Sequence, residues 1–251
     1  MQRGGSSLGM SQDFEELDFR STPLGELSLR RRRLVSLGGM EIFEVKLGDA
    51  FLMSSLFHEA EVALADLGLS DLKGEAWDVV VGGLGLGYTA VAALGHRAVA
   101  SLLILDALPA VIEWHLSGLV PLGAQLRGDP RCQMRSADFF AAARSADGFD
   151  PERPGRFWHA VLLDIDHSPR HLLHPDNAQF YQPDGLRALA AHLHPGGVFA
   201  LWSDEAPDDE FLDALGAAFA TARAHIVRFE NPLLDGTSES TVYVAAKADV
   251  R

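Results

Sequence analysis

The sequence predicts an α/β fold, a doubly wound and mostly parallel sheet preceded by a small N-terminal β element, and three observations predict it. Residues 78–89 hold a β-branched run, Asp78-Val79-Val80-Val81-Gly82, that ends in Gly83-Leu84-Gly85-Leu86-Gly87 before an Ala-rich segment. That order is strand, tight turn and helix start, the place where an open α/β sheet receives a nucleotide-like ligand. Strand-like and helix-like segments then alternate through five βα steps. Two final strand-like segments with no helix between them imply an antiparallel edge.

The elements follow in order. Residues 1–20 are polar and predict a flexible tail, with no apolar run of signal-peptide length. Alternating segments at 24–29 and 40–45, separated by glycines, predict two or three antiparallel strands. Between them Arg30, Arg31, Arg32 and Arg33 form a basic run, expected as a solvated strand face. Residues 55–67 have the pattern of an amphipathic helix, giving a unit of residues 21–70 ahead of a Rossmann-like domain over 71–251. Past the glycine loop, residues 98–105 are a strand ending at Asp106, and Pro109 opens a helix. A short strand at 132–135 leads to Asp138 and a helix over 139–144. Residues 147–155 are a Pro/Gly-rich loop, and 157–163 a strand ending at Asp164. A helix over 183–192 stops at Pro195-Gly196-Gly197, followed by a strand at 198–202, a helix at 208–222, and strands at 225–229 and 241–246.

Composition excludes several classes. The chain has 251 residues, 47% hydrophobic and 22% charged, which suits one α/β domain with an appendage. A net charge of −14 argues against nucleic-acid binding and suits a cationic small molecule. Cys132 is the single cysteine, so no intrachain disulfide forms and a reducing, cytoplasmic setting is expected. No apolar run reaches the ~18 residues of a membrane span.

Ligands in such a sheet sit outside the carboxyl ends of the strands. The residues there are Gly83, Gly85 and Gly87 after the first strand, then Asp106, Asp138 and Asp164 after the next three. An acid about 20 residues past the glycine loop is placed to accept both hydroxyls of a ribose. An acid after the third strand can accept from an exocyclic amine such as that of adenine. Any one of them can instead cap a helix; four at successive strand ends favour a nucleoside site. Nicotinamide folds use Gly-x-Gly-x-x-Gly, whereas here the third glycine comes one residue early. With the two closing strands, this favours a methyltransferase-type sheet and a sulfonium nucleoside.

These residues carry a resemblance. Gly83 to Gly87, the run Asp106-Ala107-Leu108-Pro109-Ala110-Val111-Ile112-Glu113, the Ala137-Asp138-Phe139 step and Leu163-Asp164-Ile165-Asp166-His167-Ser168-Pro169 together resemble the spermidine synthase family of polyamine aminopropyltransferases. Phe57-His58-Glu59-Ala60 resembles the family's Tyr-His-Glu segment, and Phe180-Tyr181 its aromatic pair after the fourth strand. The resemblance implies aminopropyl transfer from decarboxylated S-adenosylmethionine to a diamine, with methylthioadenosine released. It implies that Gly83, Gly85, Gly87, Asp106 and Asp138 hold the donor and that His58, Glu59 and Tyr181 line the acceptor side. A homodimer is implied on the same ground. Two departures stand out: Asp106 replaces the usual Glu with Leu108 where a second acid belongs, and His167 replaces the last Asp of the family's Asp-x-x-Asp.

The chemistry can be argued from the residues. A primary amine is protonated at neutral pH, so its attack on a carbon beside a sulfonium needs a proton acceptor and carboxylates that align the cation. Asp164, Asp166 and His167 are the catalytic candidates; His167 can stand in as base, or Asp166 and His167 can merely cap the next turn. Glu59 and Asp204 are further acids for the same cleft. The same sheet also serves methyl transfer from S-adenosylmethionine to an unknown acceptor, or nucleoside binding without turnover. The absence of Lys and Arg between Gly82 and Leu94 favours the decarboxylated donor. His167, His171 and His174 imitate metal spacing but lack the partners of a closed site, so no metal is expected. Trp77, Trp114, Trp158 and Trp202 are expected to pack.

Overall fold

A computed structural model describes residues 13–249. The chain divides into two compact units, Met1–Leu56 and Phe57–Arg251.

The first unit is a four-stranded antiparallel meander of β1 (Phe14–Thr22), β2 (Gly25–Leu34), β3 (Met40–Leu47) and β4 (Ala50–Ser54), paired in that order. Leu27 and Leu29 alternate inward on β2 and lie opposite Leu47 and Val45, all four buried. Residues 14–20 of the expected tail are strand, since β1 begins at Phe14, and residues 1–12 lie outside the described residues. The register shift between Glu16 and Asp18 breaks the period-two pattern that would have revealed it. The arginine run also differs from a plainly solvated face. Arg31 meets Glu15 and Glu41, Arg30 meets Glu16 at 3.8 Å, and Arg32 meets Glu44 at 3.0 Å across the neighbouring strands. Each such surface pair contributes about 0–1 kcal/mol.

The second unit carries α1 (Glu59–Ser70), β5 (Trp77–Gly82), α2 (Tyr88–Gly95), β6 (Val99–Asp106), α3 (Pro109–Ser117), α4 (Gly123–Gly128), β7 (Cys132–Ser136), α5 (Phe139–Arg144) and β8 (Trp158–Leu163). It continues through α6 (Pro183–Ala191), β9 (Leu193–Ser203), α7 (Asp209–Ala218), β10 (Thr221–Asn231) and β11 (Gly236–Ala246). The seven strands run in the order β10-β11-β9-β8-β5-β6-β7. The neighbours from β9 to β7 are parallel, while β11 is antiparallel to both β9 and β10. This is the doubly wound, mostly parallel sheet with an antiparallel edge that the sequence predicts. One group of helices links α1 to α2, α2 to α4 and α4 to α3; the other links α5 to α6 and α6 to α7.

The expected grouping of residues 55–70 with the N-terminal β element does not hold. The helix belongs to the second unit because Gly68 lets α1 press onto the sheet: a Cβ there would lie 2.6 Å from Leu162 and 2.9 Å from Ala200. The strand β9 also starts earlier than expected. A register shift against β8 between Trp158 and Ala160 absorbs Pro195, Gly196 and Gly197 into the strand, with Gly196 at φ +72°.

The core between β8, β9 and the helices α5 to α7 is aromatic. Phe139, Phe149 and Phe180 are at most 2% exposed, and their rings meet at 5.2 Å and 5.7 Å. At the amino end of the strands Arg156 donates to Asp78 at 2.6 Å, Asp150 at 3.1 Å and Ser101 at 2.9 Å, and stacks over Trp158 at 4.1 Å. No helix among the described residues is long and apolar enough to cross a membrane.

Candidate functional site

The carboxyl ends of β5, β6 and β8 converge on the glycine loop. After β5, Gly83, Gly85 and Gly87 all take positive φ, +92°, +47° and +95°. Such φ values are strained for any residue with a Cβ. Space excludes a side chain too: at Gly83 a methyl would overlap the main-chain carbonyl oxygen of Asp164, and at Gly87 it would lie 2.9 Å from His115 and Leu126. Leu84 and Leu86 turn into the core, 4% and 2% exposed, leaving loop backbone for a ligand.

His115, at the end of α3, holds the loop from below. It is fully buried, and its Nε2 lies 2.9 Å from the Gly85 carbonyl oxygen. The carbonyl accepts, so Nε2 carries the proton and Nδ1, which has no partner, does not. Burial lowers the pKa of His115 and keeps it neutral.

Asp106, at the end of β6, accepts from Leu84 N at 3.0 Å through one oxygen and from Leu108 N at 2.8 Å through the other. Burial raises its pKa, against the pull of these backbone N–H groups. Gly85 N–H acts on the same carboxylate as a third backbone donor, and of about four acceptor sites one is left to accept from a ribose hydroxyl. Asp138 is exposed and caps α5, accepting from Ala141 N at 3.0 Å.

Asp164 sits at the end of β8 and accepts from Thr89 Oγ1 at 2.8 Å. Burial raises its pKa to about 6. Glu61, in the first turn of α1, is raised further, to about 8, by burial first and then by the charge of Asp164. Among the described residues no Lys or Arg forms an ion pair with Asp106, Asp164 or Glu61.

The neighbours of Asp164 have other partners. Asp166 is 3% exposed and accepts from Leu173 N at 2.6 Å, Tyr181 Oη at 2.7 Å, and Asn177 Nδ2 at 3.1 Å to both oxygens. Its pKa is raised by burial and held back by these donors. Tyr181 is also 3% exposed, with its hydroxyl committed to Asp166. These two side chains fix the segment after β8. His167 lies 3.5 Å from Asp204 through Nδ1, and its ring lies 4.9 Å from that of His171. Asp204, at the end of β9, has its pKa raised by burial and lowered in part by His167. His58 stacks on Tyr88 at 4.4 Å, while the exposed Glu59 accepts from the backbone N–H of His58 at 3.0 Å.

The structure thus brings Gly83, Asp106 and Asp164 together around one loop, sets Asp166 and Tyr181 into a buried network, and leaves Asp138 as a cap. Sequence reasoning missed Glu61, Thr89 and His115. A glutamate in the first turn of a helix is ordinary, and only the folded chain brings it within reach of the charge of Asp164. Burial raises the Cys132 thiol to about 11, which leaves it inert as a nucleophile. Among the described residues no group of three or more His, Cys, Asp or Glu is arranged to hold a metal ion.

No protein-family model matches the chain, and no curated protein matches it by sequence. Solved structures do match the fold. One is the spermidine synthase of Thermotoga maritima, with a TM-score of 0.69 and 15% identity over 94% of this chain and 73% of that one. Another is a spermidine synthase in complex with the transition-state analogue AdoDATO, with a TM-score of 0.70 and 16% identity over 94% and 74%. The fold is therefore spermidine synthase-like.

Proposed function

We propose that this protein is a transferase that moves an aminopropyl group from a decarboxylated sulfonium nucleoside to a cationic amine. The observation that carries the proposal is the carboxyl corner beside the glycine loop, where Asp164 and Glu61 lie half-buried and no Lys or Arg among the described residues forms an ion pair with them. Such a corner is unfavourable to folding and suits a positively charged substrate. The spermidine synthase-like fold, one example of which holds AdoDATO, supports the same reading.

In this reading the positive-φ backbone of Gly83, Gly85 and Gly87 passes close along the donor, and Asp106 accepts from its ribose. Asp138 takes the adenine amine in addition to its cap. His58 and Glu59, beside Tyr88, border the acceptor's entry. Asp164 aligns the ammonium with the sulfonium carbon. Asp166 acts at one remove, holding the segment from 166 to 181 through Tyr181 and Asn177. His167, backed by Asp204, supplies an imidazole at the site's edge. Donor preference follows from the loop: no Lys or Arg stands between Gly82 and Leu94 to meet a methionine carboxylate.

The test is direct. The purified protein is incubated with decarboxylated S-adenosylmethionine or S-adenosylmethionine and a panel of diamines and polyamines, and the nucleoside products are assayed. Methylthioadenosine formed only in the presence of an amine is the expected result. S-adenosylhomocysteine as the sole product would make the protein a methyltransferase, and nucleoside binding without either product would make it a non-catalytic relative.

A further inference from the structure

Glu61 is a half-buried carboxyl, and its side chain accepts from its own backbone N–H. Helix geometry places it deliberately close to the reacting end of the sheet. His58, just ahead of α1, stacks at 4.4 Å and 17° on Tyr88, the first residue of α2. The next residue, Thr89, donates to Asp164 at 2.8 Å. One turn along α1 from His58, Glu61 is therefore carried to the same corner, and the charge of Asp164 reaches it. The other candidates face elsewhere: Asp166 has four donor contacts from Leu173, Asn177 and Tyr181, and His167 faces Asp204 and His171.

We propose that Glu61 is a catalytic residue: with Asp164 it receives the acceptor's ammonium group, and it takes the proton that the attacking nitrogen must lose. The inference rests on the aminopropyl-transfer reading above. Two carboxyls sharing a poorly hydrated corner hold one proton between them near neutral pH, and an arriving cation favours ionising both. The carboxylate of Glu61 then accepts one N–H proton. The freed lone pair of the amine attacks the carbon beside the sulfonium, a C–N bond forms, and the C–S electron pair moves to sulfur, leaving a neutral thioether. The new secondary amine stays protonated as an ammonium, and Glu61 returns its proton to water. Charge balances, because one positive centre is lost at sulfur and one proton is released.

Glu61→Gln is the decisive variant, with Glu61→Asp beside it. In Glu61→Gln the expected kcat/KM for the amine falls by about a hundredfold or more, the usual worth of a positioned base. Affinity for methylthioadenosine stays unchanged, and the acidic limb of the pH profile moves. Glu61→Asp keeps a carboxylate and recovers part of the rate, which also answers the case in which Glu61→Gln fails to fold. Wild-type turnover matched by Glu61→Gln, with the same pH profile, would overturn the role of Glu61 and leave the aminopropyl reading standing. If the wild type binds methylthioadenosine yet releases none with any amine, the aminopropyl reading falls and the role of Glu61 falls with it.

Discussion

The two ends of the parallel strands treat buried charge in opposite ways. At the amino end Asp78 and Asp150 share one guanidinium, that of Arg156, whose plane also rests on Trp158. The charges there are matched, and the pKa of Asp150 is lowered although burial acts the other way. At the carboxyl end no Lys or Arg among the described residues pairs with Asp106, Asp164 or Glu61, and burial raises the pKa of all three. Matched charge marks a place where the fold is held. Unmatched charge of one sign marks a place that suits a cation from outside, as in the function proposed above.

Removing the cation at the amino end gives the largest expected effect. Arg156→Met leaves Asp78 uncompensated and Asp150 with only its 3.4 Å pair to Arg153, and should lower stability by about 3–5 kcal/mol in denaturant unfolding. Turnover per folded molecule should be unchanged, because Arg156 lies far from the reacting end; an unaltered unfolding midpoint would break the contrast. Removing an acid at the other end should act in the reverse sense. The folded pKa of Glu61 is raised above its unfolded value, so the stability that Glu61 contributes is full below about 4.5 and is lost as pH rises through about 8. The groups that act on Glu61 are Asp164 and Glu59, both acids, and they reinforce this sign. Glu61→Gln should therefore melt higher than wild type at pH 9, by an amount on the order of a few kcal/mol, and equal it near pH 4. A difference that does not grow with pH would mean that the corner is not electrostatically frustrated. The smallest effect belongs to Asp138→Ala, which removes the cap of α5 and should cost about 0.5–2 kcal/mol. Weaker binding of methylthioadenosine by the same variant would place Asp138 at the adenine; a stability loss alone would leave it a cap.

The parts of the site that could be seen in the sequence are those encoded locally. The glycine loop declares itself because positive φ at Gly83, Gly85 and Gly87 requires glycine, and Asp106 and Asp164 because each ends an apolar run. Two residues beyond Asp164, Asp166 looks equivalent in the sequence. Its side chain instead enters a buried network, and nothing local distinguishes a carboxylate with four donor contacts from one with a single Thr89. Glu61 could not be found this way, since its importance comes from a neighbour distant in the chain. The N-terminal strand β1 was hidden for another reason: its bulge at Glu16 and Asp18 erases the alternation that identifies a strand.

Gly68 gives this arrangement a mechanical side. With Leu162 and Ala200 directly under it, α1 has no slack against the sheet at Gly68, so the spacing of Glu61 from Asp164 depends on a contact two turns along the helix from Glu61 and two residues before Asp164. A single added methyl at that contact would lift the helix and widen the gap without touching any reacting group. If the site takes an amine as proposed above, its reach toward a longer or shorter one is in this way adjustable from the back of a helix, by residues that no survey of the cleft would select.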